Sequence, residues 1–410
     1  MTEGDGSRGI GAVVIVVSAA CVAFFTLSPG GAGPQAAVPG GYLASDVVLN
    51  TLLFVPLGIG FGLAGANPLR AAVIGALASG AIELAQLSWI PGRDASVHDL
   101  LTNATGTAVG ALLVTHWAGR ERWWRSLSPW IAGAIVSAWA GGAFLLRASL
   151  PGTRWYGQLA HDFAGTEQFD GRVLSLSLQG TPLHDHAIAQ TQALRDRARH
   201  ADTLRLETTL ETGSPSSGRA QIVAIVAGQP GEIASIWQEG HSIVARPRLA
   251  LSDAGLRTPW IRLDSALPAR TGEAVTITLE VTRRAFRLSA RGPASARESS
   301  LALTPDLFWS AFLPGEYQGG RWPPLVPAVL TYITLGLALG GRPFRLGAAT
   351  VVTLLAGPLL AGAAFPDAAL LGAAVTGTLA GAWLSSLLKL RKREGPLPTE
   401  AALAVVPPAD

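Results

Sequence analysis

SGAIELAQLSWIPGRDASVHDLLTNATGTAVG, Ser79 to Gly110, is the stretch on which the reading of this chain turns. It joins two apolar segments, Ala71–Trp89 and Val97–Trp117, through a short polar hinge, and polar residues sit inside both segments close to that hinge. An ionisable group inside a bilayer is expensive, so each one marks a functional-site hypothesis with a partner to be found. At helical spacing Ser79, Glu83 and Gln86 share one face of the first segment, and Asp99, Asn103, Gly106 and Gly110 share one face of the second. The two faces are expected to meet across the hinge.

Composition supports a membrane setting. Hydrophobic residues make up 49% of the 410 and charged residues 14%, against about 25% charged in an ordinary soluble domain. The mean hydropathy is +0.35. The charges concentrate between about Gly152 and Arg321, which predicts a soluble insertion flanked by membrane segments. A net charge of +3 from scattered arginine clusters speaks to topology and gives no nucleic-acid signal. Cys21 is the one cysteine, so no intrachain disulfide forms.

A bilayer core of about 30 Å takes roughly 20 apolar residues as a helix. Runs suited to that role are Ile10–Leu27, Val47–Leu63, Ala71–Trp89, Val97–Trp117, Pro129–Arg147, Leu325–Gly340, Leu346–Ala364 and Ala368–Leu388. The first is long for a signal peptide and is expected to be retained. Ser96 followed by Asp99 resembles a capping box, and Pro129 suits the first turn of the fifth helix. With the N-terminus inside, the inner loops hold Arg70, then Arg120, Arg122 and Arg125, then Arg342 and Arg345, while the short outer loops hold Arg93. That asymmetry places the insertion outside the cytoplasm. Trp89 and Trp322 then belong to the outer interface, and Trp117, Trp123, Trp124 and Trp130 to the inner one. Small residues four apart, such as Gly58 and Gly62 or Gly106 and Gly110, permit close helix contact.

Between Pro151 and Pro323 the period changes to two. Alternation appears in Arg172–Leu178, Leu204–Leu210, Gln221–Val226, Ile233–Trp237, Ser242–Arg246, Ala274–Val281 and Ala285–Ala290, which predicts an all-β sandwich. The Pro-rich tail after Arg393 is expected to be disordered.

LNTLLFVPLG at Leu49–Gly58, IELAQ at Ile82–Gln86 and GRDASVHDLLTNATGTAVG at Gly92–Gly110 together resemble the VanZ-like membrane family over about Ile10 to Trp117. The resemblance implies the bacterial cell envelope, and a name linked to glycopeptide antibiotic resistance, with no established mechanism or catalytic residues. On the expected topology Asp46, Asn50, Glu83, Gln86, Arg93, Asp94, Asp99 and Asn103 lie near the outer leaflet, one arginine facing several carboxylates. These form the candidate binding cluster. Helix capping by Asp99 and hydrogen bonding between helices by Gln86 and Asn103 are its purely architectural reading.

IVAIVAGQPGEIASIWQEGHSIVARPRLALSDAG, Ile222–Gly255, resembles a concanavalin A-like or laminin G-like sandwich, through the turn Gln238–Gly240 and the paired Arg246 and Arg248. Such domains often bind carbohydrate, sometimes with calcium, and some are glycosidases. Hydrolysis needs two carboxylates flanking the bond, and no acidic pair two residues apart occurs between Gly152 and Arg321. Trp237, Gln238 and His241 are candidate glycan contacts, with a core tryptophan as the plainer reading of Trp237. His184 and His186 make an incomplete metal pair, and Arg195–His200 reads as a solvated turn or short helix.

The sequence thus predicts a membrane all-α bundle of about eight transmembrane helices with an inserted all-β sandwich. Its divisions are residues 1–148 (five helices), 149–321 (the sandwich), 322–393 (three helices) and 394–410 (the tail). The expected function is a non-enzymatic envelope role with a glycan-recognising outer domain, in contact with membrane lipid and a glycan or cell-wall precursor. No catalytic residue, metal or cofactor is assigned. The alternatives are a membrane enzyme on lipid-linked precursors, with Glu83 or Asp99 as acid or base and Arg93 on a phosphate, and a transporter.

Overall fold

The structure is a computed structural model that describes residues 3–27, 44–89, 97–117, 121–152, 154–159, 167–183, 187–188, 190–227, 231–293, 295–312, 322–339 and 342–393. Ser96, Arg93, Asp94, the His184–His186 segment and the 394–410 tail fall outside these residues.

Apolar runs of the sequence become helices α1 (Glu3–Leu27), α2 (Ala44–Leu63), α3 (Pro68–Trp89), α4 (Val97–Trp117) and α5 (Glu121–Leu145). The fifth starts two turns before Pro129, so the proline lies inside the helix, where it forfeits one backbone hydrogen bond, instead of opening it. Among the described residues four stretches are long and apolar enough to cross a bilayer: Ala44–Leu63, Pro68–Ser88, Ser128–Leu145 and Pro343–Ala361. The expectation of about eight is corrected to that number. Arg8–Phe24 and two stretches near the C-terminus are apolar but shorter. α4 carries His98, Asp99, Thr102, Asn103, Thr105 and Thr107 in its first three turns, which lowers its hydropathy.

α2 packs closely on α4, with α3 against α4 and α1 against α2. The contact runs through backbone. A Cβ on Gly106 would collide with the Thr51 carbonyl, and one on Gly110 with the Val55 carbonyl. Small residues let the two helices approach where lipid offers no hydrophobic drive. Outward-facing Leu77, Leu84, Leu87 and Leu101 remain more than half exposed, as a lipid-facing surface requires.

The remaining helices form a second group. α5 packs with the 3-10 helix Pro305–Phe312 and with C-terminal helices across a core that holds Trp139, Tyr332, Leu335 and Leu370. Those helices span Trp322–Leu339, Pro343–Ala356 with its π-helical turn Gly357–Ala361, and Ala368–Arg393.

Between the groups lie two sheets. One runs in the order β10 (Ile261–Leu263), β9 (Ser242–Pro247), β8 (Gly231–Glu239), β7 (Arg219–Ala227), β1 (Trp155–Leu159), β5 (Ala187–Ile188), with β2 (Glu167–Gln168) parallel on β7. The other runs β13 (Ala296–Ala302), β12 (Ala285–Arg291), β11 (Ala274–Thr282), β6 (Thr203–Glu211), β3 (Arg172–Leu178), β4 (Thr181–Pro182), all antiparallel. Alternate residues such as Leu206, Leu210, Ile277 and Leu279 from the second sheet join Ile222, Ile225 and Ile236 from the first in one core. A helix, α6 (Thr191–Ala201), packs against β6 with Leu194 and Ala198 in the same core and contains the basic run.

Backbone bonds tie the sheets to the helices. Ser149 N–H donates to the Arg248 carbonyl and Ala250 N–H to the Arg147 carbonyl, both at 2.9 Å, and Ala364 N–H donates to the Leu303 carbonyl at 3.1 Å.

Candidate functional site

Three helices bring polar side chains together at one level. From α2, Asn50 donates Nδ2–H to Asp99 Oδ1 of α4 at 2.8 Å. One turn deeper, Asn103 donates Nδ2–H to Ser79 Oγ of α3 at 2.9 Å. Its backbone carbonyl accepts from Thr107 Oγ1 at 2.8 Å. Gln86 reaches the other way and donates Nε2–H to the Thr26 carbonyl of α1 at 2.8 Å. Glu83 lies between Ser79 and Gln86 on the same α3 face and is 9% exposed.

These groups are deeply enclosed: Ser79 and Thr107 have no exposed surface, and Asn103 is 4% exposed. Asn103 Oδ1 has no hydrogen-bond partner among the described residues. A buried carbonyl acceptor left without a donor costs about 1–3 kcal/mol, so this atom is a place where a ligand donor gains most.

The row has a definite position along the helices. Asp46, one turn before Asn50, accepts from Arg257 Nη2 at 2.5 Å, and Ser45 Oγ accepts the Arg257 backbone N–H at 3.1 Å. Arg257 belongs to the sheet unit. The polar row is therefore at the end of α2, α3 and α4 that faces the sheets.

Of the cluster expected from sequence, Asn50 bonds to Asp99, Asn103 bonds to Ser79, Glu83 is buried one turn along α3 from Ser79, and Gln86 is turned toward α1. Asp46 stands apart, held by the sheet unit. Arg93 lies outside the described residues. Sequence reasoning missed Arg257, because nothing local in Leu256–Pro259 announces a partner 211 residues away.

On the sheet unit, Trp237 is 5% exposed and packs with Val244 and Trp260. Arg219 and Arg246 lie over the Trp260 ring at 4.5 and 4.9 Å, and Trp237 Nε1 donates to Ser235 Oγ at 2.8 Å. Gln238, 1% exposed, donates to the carbonyls of Ser214 and Gly240. His241 is exposed. Burial does not support the expectation of a glycan contact at Trp237 and Gln238: Val244 and Trp260 pack on Trp237, and Gln238 is held by backbone carbonyls.

The open polar surface is elsewhere. Outward residues of β6, β11, β12 and β13, among them Arg205, Glu207, Thr278, Glu280, Arg287 and Ser289, line a trough of about 540 Å³. Arg205 pairs with Glu207 at 2.8 Å and with Glu280 at 3.4 Å. Its signal in the sequence is the polar half of the same alternation that predicts the strands. Among the described residues no three His, Cys, Asp or Glu side chains gather as a metal site.

Carboxylates of the sheet unit are tuned by local donors. The Ser217 backbone N–H leads in lowering Glu167, burial opposes it, and Gly218 N–H and the Ser217 hydroxyl add to the lowering. Ser214 lowers Asp170, and Arg262 with Ser242 lowers Asp264. Asp306 is shifted the other way, upward, because burial disfavours its charge, and Asp367 adds repulsion against the Thr304 hydrogen bond.

Comparison with known proteins matches residues 14–118, the segment that contains the polar row, to the VanZ/LLP1 family. No curated protein matches the chain. No solved structure matches it either.

Proposed function

We propose that this chain is a non-enzymatic, multi-pass protein of the bacterial cytoplasmic membrane, in which the VanZ-type segment receives the polar part of an envelope component. The sheet unit, on the extracytoplasmic side, recognises a glycan. The observation that carries this reading is the polar row itself. Asn50, Asp99, Glu83, Ser79 and Asn103 occupy the sheet-facing end of helices that are otherwise apolar, and Asn103 Oδ1 is buried without a donor among the described residues. A row that served packing alone would be expected to close on itself.

Orientation is supported by the arginines of the loops at the far ends of the helices, Arg70 and Arg342 with Arg345 among them. Glycan recognition is supported by the trough on the six-stranded sheet, whose Thr, Ser, Glu and Arg side chains offer the donors and acceptors that sugar hydroxyls use.

The test is complementation. In cells lacking the protein, Glu83→Gln and Asp99→Asn, expressed at wild-type level, are expected to fail to restore envelope integrity under glycopeptide challenge. Full restoration by both would remove the binding role of the row. A bacterial glycan array probed with the full-length protein tests the sheet unit, and binding lost in Arg287→Ala is the expected result. Silence across the array would remove glycan recognition.

A further inference from the structure

A second polar feature lies away from the row, at the junction of the sheets with the other helix group. There a cavity of about 200 Å³ is lined by Arg147, Arg199, Arg283, Asp202, Leu150 and Thr203, among others. Arg147 follows the candidate span Ser128–Leu145 by two residues. Its Nε and Nη2 donate to the carbonyl of Ala361, the last residue of the span Pro343–Ala361, at 3.2 and 3.0 Å. Two spans thus end at one level, and the cavity opens just outside it.

The three guanidinium groups are unequally engaged. Arg147 lies 4.4 Å over the Phe144 ring, and its Nη1 hydrogens have no partner among the described residues. Arg283 donates Nε–H to Asp202 Oδ1 at 2.5 Å, and its stem rests beside Gly362. Arg199, in the last turn of α6, is exposed, and its guanidinium has no partner among the described residues. One carboxylate faces three cations, which leaves a surplus of positive charge at a membrane boundary. Beside the cavity the surface turns apolar: Leu359, Leu360 and Phe365 are 69%, 64% and 58% exposed.

We infer that this cavity binds the phosphate of an anionic membrane lipid, independently of the polar row. Arginine presents forked N–H donors that match a phosphate's oxygens, and basic groups at the edge of a membrane attract anionic lipid. Arg199 and the free Nη1 of Arg147 supply the donors, Arg283 adds charge, and Leu359, Leu360 and Phe365 lie along the acyl chains. A soluble phosphate would find the same cations without gaining from the apolar rim, which is why the lipid is the favoured source.

The experiment uses the full-length protein in nanodiscs of phosphatidylcholine doped with phosphatidylglycerol, with retained lipid read by native mass spectrometry. Wild-type protein is expected to retain phosphatidylglycerol over phosphatidylcholine. Arg199→Gln is expected to lower that preference about tenfold, the usual worth of one charge-assisted hydrogen bond, and Arg199→Lys to restore part of it. Arg283→Gln provides a second variant on a different element and is expected to weaken the preference as well. Equal retention of the two lipids, or a preference untouched by both glutamine variants, would overturn the proposal. Displacement of phosphatidylglycerol by inorganic phosphate at equal concentration would overturn the lipid as the source.

Discussion

Arg257 of the sheet unit holds Asp46 of α2 through Nη2 and Oδ1 at 2.5 Å, across 211 residues of chain. The pair joins the sheet unit to the first turn of a membrane helix and sets the sheet unit over the polar row one turn below. Both side chains keep some solvent contact, 25% and 37%, so the pair is worth about 0.5–1 kcal/mol after screening. A double-mutant cycle with Asp46→Ala and Arg257→Ala on thermal unfolding of the full chain is expected to give a coupling of that size. Strict additivity would show that the contact does no anchoring.

Gly106 is a position where a methyl group has nowhere to go, because the Thr51 carbonyl and Phe54 Cβ already occupy the space. Gly106→Ala is expected to cost about 1–3 kcal/mol, as overpacking does. Gly133 meets nothing within 4 Å, so Gly133→Ala is expected to be neutral or to stabilise by up to about 1 kcal/mol through helix propensity. Unfolding in detergent separates them. Equal effects would show that α2 and α4 do not meet at Gly106.

Ser79→Ala removes the hydroxyl that Asn103 uses and leaves a buried amide with one bond fewer. Hydrogen bonds between membrane helices average about 0.6 kcal/mol and reach about 1.7 kcal/mol at most, well below what an orphaned group costs in a soluble core. Thermal stability is therefore expected to drop modestly. A loss above about 3 kcal/mol would mark the row as chiefly structural.

Two opposing pH effects are expected in the sheet unit. Glu167, Asp170 and Asp264 have lowered pKa values, so the stability they contribute is present above the unfolded-state range near 4 and is lost as pH falls through their folded values. Asp306 is raised, so its contribution is full below the unfolded value and disappears as pH rises through the folded one. Asp306→Asn is expected to remove the decline in stability that sets in as pH rises above the unfolded-state value near 4 and to leave the loss below it unchanged. A profile that keeps that decline in Asp306→Asn would contradict the assignment.

Much of this arrangement is legible in the chain. Ala274–Val281, with one face on the core, alternates cleanly and is found where the sequence puts it, and Arg172–Leu178 is found there too although a bulge at Val173–Ser175 breaks its alternation. Ala296–Ala302 escapes notice because it is an edge strand with both faces wet and so has no apolar alternation. The faces of Ser79–Glu83–Gln86 and Asp99–Asn103 follow from helical spacing, and the structure joins Ser79 to Asn103. The outside partners do not follow: the Thr26 carbonyl that Gln86 meets and the Arg257 that holds Asp46 are long-range and have no local signature. Trp237 reads from sequence as a core tryptophan or a glycan contact; what covers it, Trp260 from a distant loop with Arg219 and Arg246 lying over the Trp260 ring, has no local signature.

The most direct measurement is the mass of envelope lipid or glycolipid that copurifies with full-length protein from its native membrane, compared between wild type, Glu83→Gln and Asp99→Asn. The account predicts a bound component in wild type that falls about tenfold in each variant while the unfolding temperature stays close to wild type. The same bound content in all three proteins would contradict it.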